Sequence, residues 1–278
     1  MQIKFLGTGA AEGVPAMFCN CQFCNFVRRS GISEVRTRTQ VAINGDLLID
    51  FPPEAYYHSF ASGVYLSAVR ALLVTHSHMD HFYAHDFILR GYKYASLEED
   101  VLDIYGNDEV QKVFNECTAR EMKPQVAPHV RFNRVGSFSV FEVCGYKVIA
   151  VPAEHTKAED ALLYYVERDG KGYLHLHDTG NLSDEAVSFL ARKGAHADVV
   201  AYDCTFGETA GNFVSRHMGI PDVVVIRDKL LSAGVIGNST INVITHFSHN
   251  CAPSRSKMDA LARQYGLVAA YDGFTLDI

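Results

Sequence analysis

His76-Ser77-His78-Met79-Asp80-His81 follows the apolar run Ala71-Leu72-Leu73-Val74 with only Thr75 between them. Three imidazoles and one carboxylate therefore crowd into six residues at the end of an expected buried strand. Imidazole and carboxylate suit divalent transition ions such as zinc, manganese and iron. Two ions can share such a cluster when other parts of the chain complete each coordination shell. The stretch points to hydrolysis by metal-bound hydroxide. A polar turn would account for one histidine. It does not account for His-x-His-x-Asp-His placed right after a hydrophobic strand.

Short apolar runs alternate with helix-like stretches along the rest of the chain, the pattern of a layered α/β protein. Strands are expected at Ile3–Leu6, Gln40–Ile43, Leu47–Asp50, Ala71–Thr75, Val101–Tyr105, Lys147–Val151, Ala161–Val166, Gly172–Leu176, Asp198–Tyr202, Ile241–Thr245 and Leu267–Tyr271. Asn44-Gly45 is a hairpin signal between the second and third. Helices are expected at Pro53–Ala61, Asp108–Arg120, Asp184–Lys193, Asp222–Ala233 and Ser256–Tyr265, although Val223–Ile226 also reads as strand. Asn107 and Ser183 are candidate N-caps, and Gly194, Gly234 and Gly266 are candidate stops. In the last helix Met258, Leu261, Ala262 and Tyr265 share one face. Residues 1–278 are read as one domain of two sheets covered by helices.

His155, Asp178 and His246 each lie just past an expected strand, as His76 does. Taken singly, each is an ordinary turn or surface residue. The common placement lets them converge on one edge of the sheets.

Leu6-Gly7-Thr8-Gly9, Leu48-Ile49-Asp50, Thr75 to His81, His155, Asp178 and Thr245-His246 together resemble the metallo-β-lactamase superfamily, over nearly the whole chain. The resemblance implies an αββα sandwich of two mixed sheets. It assigns His76, His78 and His155 to one metal, and Asp80, His81 and His246 to a second. Asp178 bridges them, Asp80 also belongs to the catalytic machinery, and Asp50 orients a ligand. Residual positive charge at such a site would stabilise an anionic phosphorus transition state.

Cys19-Asn20-Cys21-Gln22-Phe23-Cys24 supplies three thiolates of a tetrahedral zinc site. His249, in Thr245-His246-Phe247-Ser248-His249, is the candidate fourth ligand, which would brace His246. Within the superfamily, the cysteine array and this ending resemble the phosphoribosyl 1,2-cyclic phosphate phosphodiesterases of phosphonate catabolism. That resemblance makes His217, in Arg216-His217-Met218, a catalytic residue outside the metal shell, able to protonate a leaving alkoxide. The pqq biosynthesis protein B group has a similar cysteine array but does not keep the full His-x-His-x-Asp-His set. Ala84 stands where superfamily members place Gly, so a different loop path is expected, and His85 adds an exposed imidazole. Residues 91–131 form a longer segment than in compact members.

The chain has 278 residues, 48% of them hydrophobic, enough for a full core. A net charge of -7 gives no reason to expect general affinity for nucleic acid or anionic membrane. No stretch has the length of a membrane span. The start at Met1–Leu6 lacks the features of a signal peptide, so the cytoplasm is the expected location. Seven cysteines, three of them adjacent, suit reduced metal-bound thiols better than disulfides. Arg36, Arg38 and Arg90 could bind a remote phosphate, but are read as solvated surface charges.

The expected function is hydrolysis of a small cyclic phosphate diester, with two Mn2+, Zn2+ or Fe2+ ions at the active site and one structural Zn2+. A tRNA 3′-end endonuclease would need a basic arm that the composition lacks. A non-catalytic metal-binding scaffold would not need every ligand. A homodimer is compatible with exposed sheet edges.

Overall fold

The computed structural model describes residues 1–212 and 216–278. The first sheet contains β1 (Gln2–Gly7), β2 (Gln40–Ile43), β3 (Leu47–Ile49), β4 (Ala71–Leu73), β5 (Leu102–Gly106) and β6 (Val130–Arg134). The second contains β7 (Val140–Val143), β8 (Tyr146–Pro152), β9 (Leu162–Arg168), β10 (Lys171–Leu176), β11 (Ala197–Asp203), β12 (Ile236–Thr245) and β13 (Val268–Ala269). β14 (Phe274–Asp277) then returns to pair with β1. Both sheets are mixed. Antiparallel hairpins lead into parallel strands from β3 to β6, and again from β10 to β13.

Alternation along the strands explains the layering. Ile3, Phe5, Val41, Ile43, Leu47, Ile49, Ala71 and Leu73 turn inward and meet Val148, Ala150, Leu162, Tyr164 and Val199 of the opposite sheet. The intervening Leu6, Ala42, Leu48 and Leu72 turn outward to α2 (Ala55–Ser62) and α3 (Asp108–Thr118). On the other sheet, Ile149, Leu163, Leu174 and Val200 turn outward to α4 (Asp184–Arg192), α5 (Ile220–Ser232) and α6 (Arg255–Gln264). Strands with side chains alternating between faces stay apolar on both only when both faces are covered. Two sheets flanked by helices result, as expected.

Asn107 and Ser183 cap α3 and α4 by accepting from Val110 N and Ala186 N. Residues Val223–Ile226 are helical. The strands unforeseen in the sequence, β6, β7 and β14, are half-exposed and lack an apolar run. A further helix, α1 (Gln22–Ser30), begins inside the cysteine array, with Cys21 as its N-cap.

Several side chains sit otherwise than expected. Arg36, Arg38 and Arg90 are buried, not solvated. Their guanidinium groups donate to the carbonyls of Ala270, Ala11 and Glu99 respectively, and Arg38 also pairs with Glu54. Tyr265 is exposed at the end of α6, while Met258 and Ala262 are buried. Ala84 opens a short 3-10 turn over Ala84–Leu89 and has no left-handed φ, so glycine is not required there.

His58 is buried between Thr37 Oγ1 and Gln40 Oε1, both at 2.7 Å from its ring nitrogens. Burial pushes its pKa down to about 4. The folded pKa lies below that of the unfolded chain, so this contribution is complete above about pH 6.5 and fades as pH falls toward 4. The loss amounts to about 3 kcal/mol across that window. His58→Gln should therefore flatten the fall of melting temperature between those pH values. An equally steep profile would rule out His58 as its source.

Candidate metal centre

The site forms where strands of both sheets end. Asp50 follows β3, His76 to His81 follow β4, His155 follows β8, Asp178 follows β10 and His246 follows β12. Asp50, Asp178 and His246 have left-handed backbones with φ of 64°, 50° and 60°. Such turns cost on the order of 1 kcal/mol each outside glycine. Here they swing the side chains off the strand axis into one centre.

Two groups of ligand atoms face that centre. In the first, His76 Nε2 is 2.9 Å from His78 Nδ1, which is 3.2 Å from His155 Nε2. Asp178 Oδ2 lies 3.5 Å from His76 Nε2 and 3.4 Å from His155 Nε2. In the second, His81 Nε2 is 3.2 Å from both Asp80 Oδ2 and Asp178 Oδ2, and His246 Nε2 is 2.7 Å from Asp178 Oδ1. Donors about 2.1 Å from one ion stand roughly 3.0–3.4 Å apart, so each group fits around a divalent metal. Asp178 belongs to both, and with His246 also to a third, overlapping set that contains Asp203 and His217.

The surrounding hydrogen bonds set the tautomers. His81 Nδ1 donates to Asp50 Oδ2 at 2.7 Å. Thr75 Oγ1 gives its proton to Asp50 and faces His76 Nδ1 at 3.0 Å, which must then donate. Thr205 Oγ1 likewise donates to Asp203 and meets His246 Nδ1 at 2.8 Å. His155 Nδ1 donates to Arg216 O at 3.3 Å. With Nδ1 so engaged, each of these rings turns Nε2 to the centre; against the pull of burial, Asp178 keeps a proton on His81 and His246, and an ion bound there would take that proton's place. His81 Nε2, His246 Nε2 and Asp178 Oδ1 are buried and make no well-aligned hydrogen bond among the described residues, although His246 Nε2 and Asp178 Oδ1 stand 2.7 Å apart. Buried polar atoms left unpaired are costly. Here they converge, as metal ligands do. Burial keeps His76 well below its ordinary pKa, hence neutral. Burial opposes ionisation of Asp178, but His246 and His81 outweigh it and hold its pKa well below the usual carboxylate range.

His217 stands beside these groups, its ring stacked on His246 and close to His155. Its Nδ1 lies 2.8 Å from Asp203 Oδ2. Burial lowers its pKa, but the adjoining Asp203 carboxylate prevails and raises it to about 9. Asp203, fully buried, is not marked by any motif in the sequence. Its only signal is its place at the end of an apolar strand. His85 is exposed and packs on Tyr83.

The structure also gathers Cys19, Cys21, Cys24 and His249 into one group. His249 Nδ1 is 3.4 Å from Cys24 Sγ and 3.7 Å from Cys21 Sγ. The Cys24 N–H and His249 lower the Cys21 thiol to about 6, while burial pushes Cys24 to about 11. Four such donors suit tetrahedral zinc. Cys24→Ala should cost one zinc per chain and lower the melting temperature by about 5 °C, read by metal analysis and thermal melts. Unchanged zinc content would remove the structural ion.

Residues 51–233 match the family model of the beta-lactamase superfamily domain. Zinc-bound PqqB from Methylobacterium extorquens superposes with a TM-score of 0.74 at 19% identity, covering 100% of both chains. A diphosphatase of the PhnP family gives 0.72 at 22% identity, covering 100% of this chain and 97% of that one. Human tRNase Z, short form, gives 0.68 at 17% identity, covering 100% of this chain and 99% of that one. An octanoyltransferase from Porphyromonas gingivalis is 34% identical over 85 residues, 29% of this chain. The chain spans only 16% of that protein's length.

Proposed function

The chain belongs to the β-lactamase superfamily, and from that premise we propose that it is a metal-dependent phosphodiesterase that opens a small cyclic phosphate diester. The observation that carries this reading is Asp178, whose two oxygens face two groups of ligand atoms beside the His217–Asp203 pair. His76, His78, His155 and Asp178 would hold one divalent ion, and Asp80, His81, His246 and Asp178 the other. Bound there, divalent ions supply Lewis acidity and lower the pKa of water.

The side chains of this protein do the rest. Asp50, Thr75 and Thr205 fix the ring orientations. Asp203 holds a proton on His217 at Nδ1, which keeps the ring turned toward His155 and His246. Protonated, His217 delivers its other ring proton to the departing alkoxide as water adds to phosphorus, so the ring opens to a phosphomonoester. A cyclic ribose phosphate is the substrate supported by the family resemblance.

A small substrate suits the surroundings better than tRNA. A cavity of about 380 Å³ reaches Glu159, which binds Ser77, and is lined by Asp108, Glu109, Glu159 and Asp160, with Arg134 among them. That acidic margin repels a polyanion. No helix among the described residues is long and apolar enough to cross a membrane.

The test pairs metal analysis with turnover on one preparation. Substrates are phosphoribosyl 1,2-cyclic phosphate, 2′,3′-cyclic nucleotides, a diphosphate diester and precursor tRNA. Ring opening that stops on chelation and returns with Mn2+ or Zn2+ is the expected result. Cleavage of precursor tRNA in preference to every cyclic diester would replace the proposal with an endonuclease. No turnover with any metal would leave a binding scaffold.

A further inference from the structure

The loops that carry the first ligand group meet through Glu159, a side chain that the proposed reaction does not use. Glu159 lies four residues past His155 and is half-buried. Its carboxylate accepts from Ser77 Oγ at 2.7 Å and from Ser77 N at 3.0 Å, and from Asn107 Nδ2 at 2.8 Å. Ser77 stands between His76 and His78. Asn107 caps α3 and also donates to Asp160 O at 2.9 Å. One carboxylate thus ties together the loop after β8, the loop after β4 and the start of α3.

His78 is the ligand that needs this tie. The imidazoles of His76, His81, His155 and His246 each meet a partner outside the metal groups: Thr75, Asp50, the Arg216 carbonyl and Thr205. Among the described residues, the His78 ring meets only His76 and His155. It is exposed, and it offers Nδ1 where the others offer Nε2. No outer hydrogen bond among the described residues orients the ring, so its direction rests on its backbone, held on one side through Ser77 and on the other by the His81 and Phe82 N–H groups that donate to the His78 carbonyl.

We propose that Glu159 is a positioning residue that holds Ser77, and through it His78, against His155, and so sets the affinity of the first ligand group for its ion. The inference rests on the ligand reading given above. An anionic acceptor suits the place because three donors converge on it. Glutamine can keep most of the arrangement. Its carbonyl can accept from Ser77 N and Asn107 while the Ser77 hydroxyl turns to accept from the amide.

The test titrates the metal-free full chain with Co2+. Near-ultraviolet thiolate charge transfer, accompanied by intense long-wavelength d–d absorption, reports cobalt on the cysteines, and the weaker d–d bands at shorter visible wavelength report cobalt on His and Asp ligands. Glu159→Ala should weaken one cobalt equivalent about tenfold and leave the thiolate signal unmoved. Glu159→Gln should stay within about threefold of wild type. Ser77→Ala removes one donor and should cost about threefold, which keeps the test open if Glu159→Ala fails to fold. A purely structural role would lower the melting temperature of the metal-free Glu159→Ala chain with cobalt affinity unchanged, and that result overturns the proposal. So does a Glu159→Gln chain as impaired as the alanine variant, or an unchanged Ser77→Ala chain where Glu159→Ala does not fold. A wild-type chain showing the thiolate band alone would remove the ligand reading itself. Wild-type binding in both bands with Glu159→Ala unaltered would remove only the role of Glu159.

Discussion

Asp178→Ala is expected to abolish turnover and to lower bound metal from about three ions per chain to about one, the remainder held by the cysteines. The reason is geometric. Oδ2 stands 3.5, 3.4 and 3.2 Å from His76, His155 and His81, and Oδ1 stands 2.7 Å from His246. Removing the carboxylate takes an anionic donor from both groups at once and leaves buried imidazoles to bear the ionic charge. Activity should fall by roughly 10³-fold or more. Asp178→Asn keeps the shape but sets an N–H toward unprotonated ring nitrogens, so it should fare little better. Metal analysis and initial rates on the same sample decide the matter. Two ions retained, or activity above about a tenth of wild type, would show that Asp178 does not join the groups.

Asp203→Asn should have the opposite signature, with metal content kept and kcat lowered roughly 10²-fold. Asp203 touches neither His76 nor His81 but accepts from His217 Nδ1 at 2.8 Å and from Thr205 Oγ1 at 2.7 Å. Asparagine fills the same volume, yet cannot balance the charge of a protonated His217. His217→Ala should lower kcat at least as far. The double variant should be no slower than His217→Ala, because two residues acting as one unit do not add. Independent, multiplicative losses would mean that Asp203 acts elsewhere. Loss of metal from Asp203→Asn would point to Thr205 and His246 as its true dependants.

Much of this centre is legible in the amino-acid sequence. Six contiguous residues hold four of the candidate ligands, and His155, Asp178 and His246 share the position just past a strand. What is not legible depends on partners remote along the chain. Asp203 gains its role from His217, fourteen residues on, and no local pattern marks such a pair. Arg36, Arg38 and Arg90 have the composition of surface charges. Only the fold reveals that backbone carbonyls 234, 27 and 9 residues away accept their protons. Strand boundaries are legible where both faces are covered, as in β2, which matches residue for residue. Edge strands such as β6, with one polar flank, carry no comparable run.

The order in which the strands enter the two sheets has a consequence for the centre. His76, His78, Asp80 and His81 come from the half of the chain that builds the first sheet, and His155, Asp178 and His246 from the half that builds the second. Neither half carries a whole ligand set for either ion. The two would stand to each other as subunits do around a shared cofactor, joined by the short segment 135–139 and by β14, which crosses back to the first sheet. Under the proposed reading, docking of the halves and capture of the ions would be one thermodynamic event, with each ion acting as a rivet across the seam.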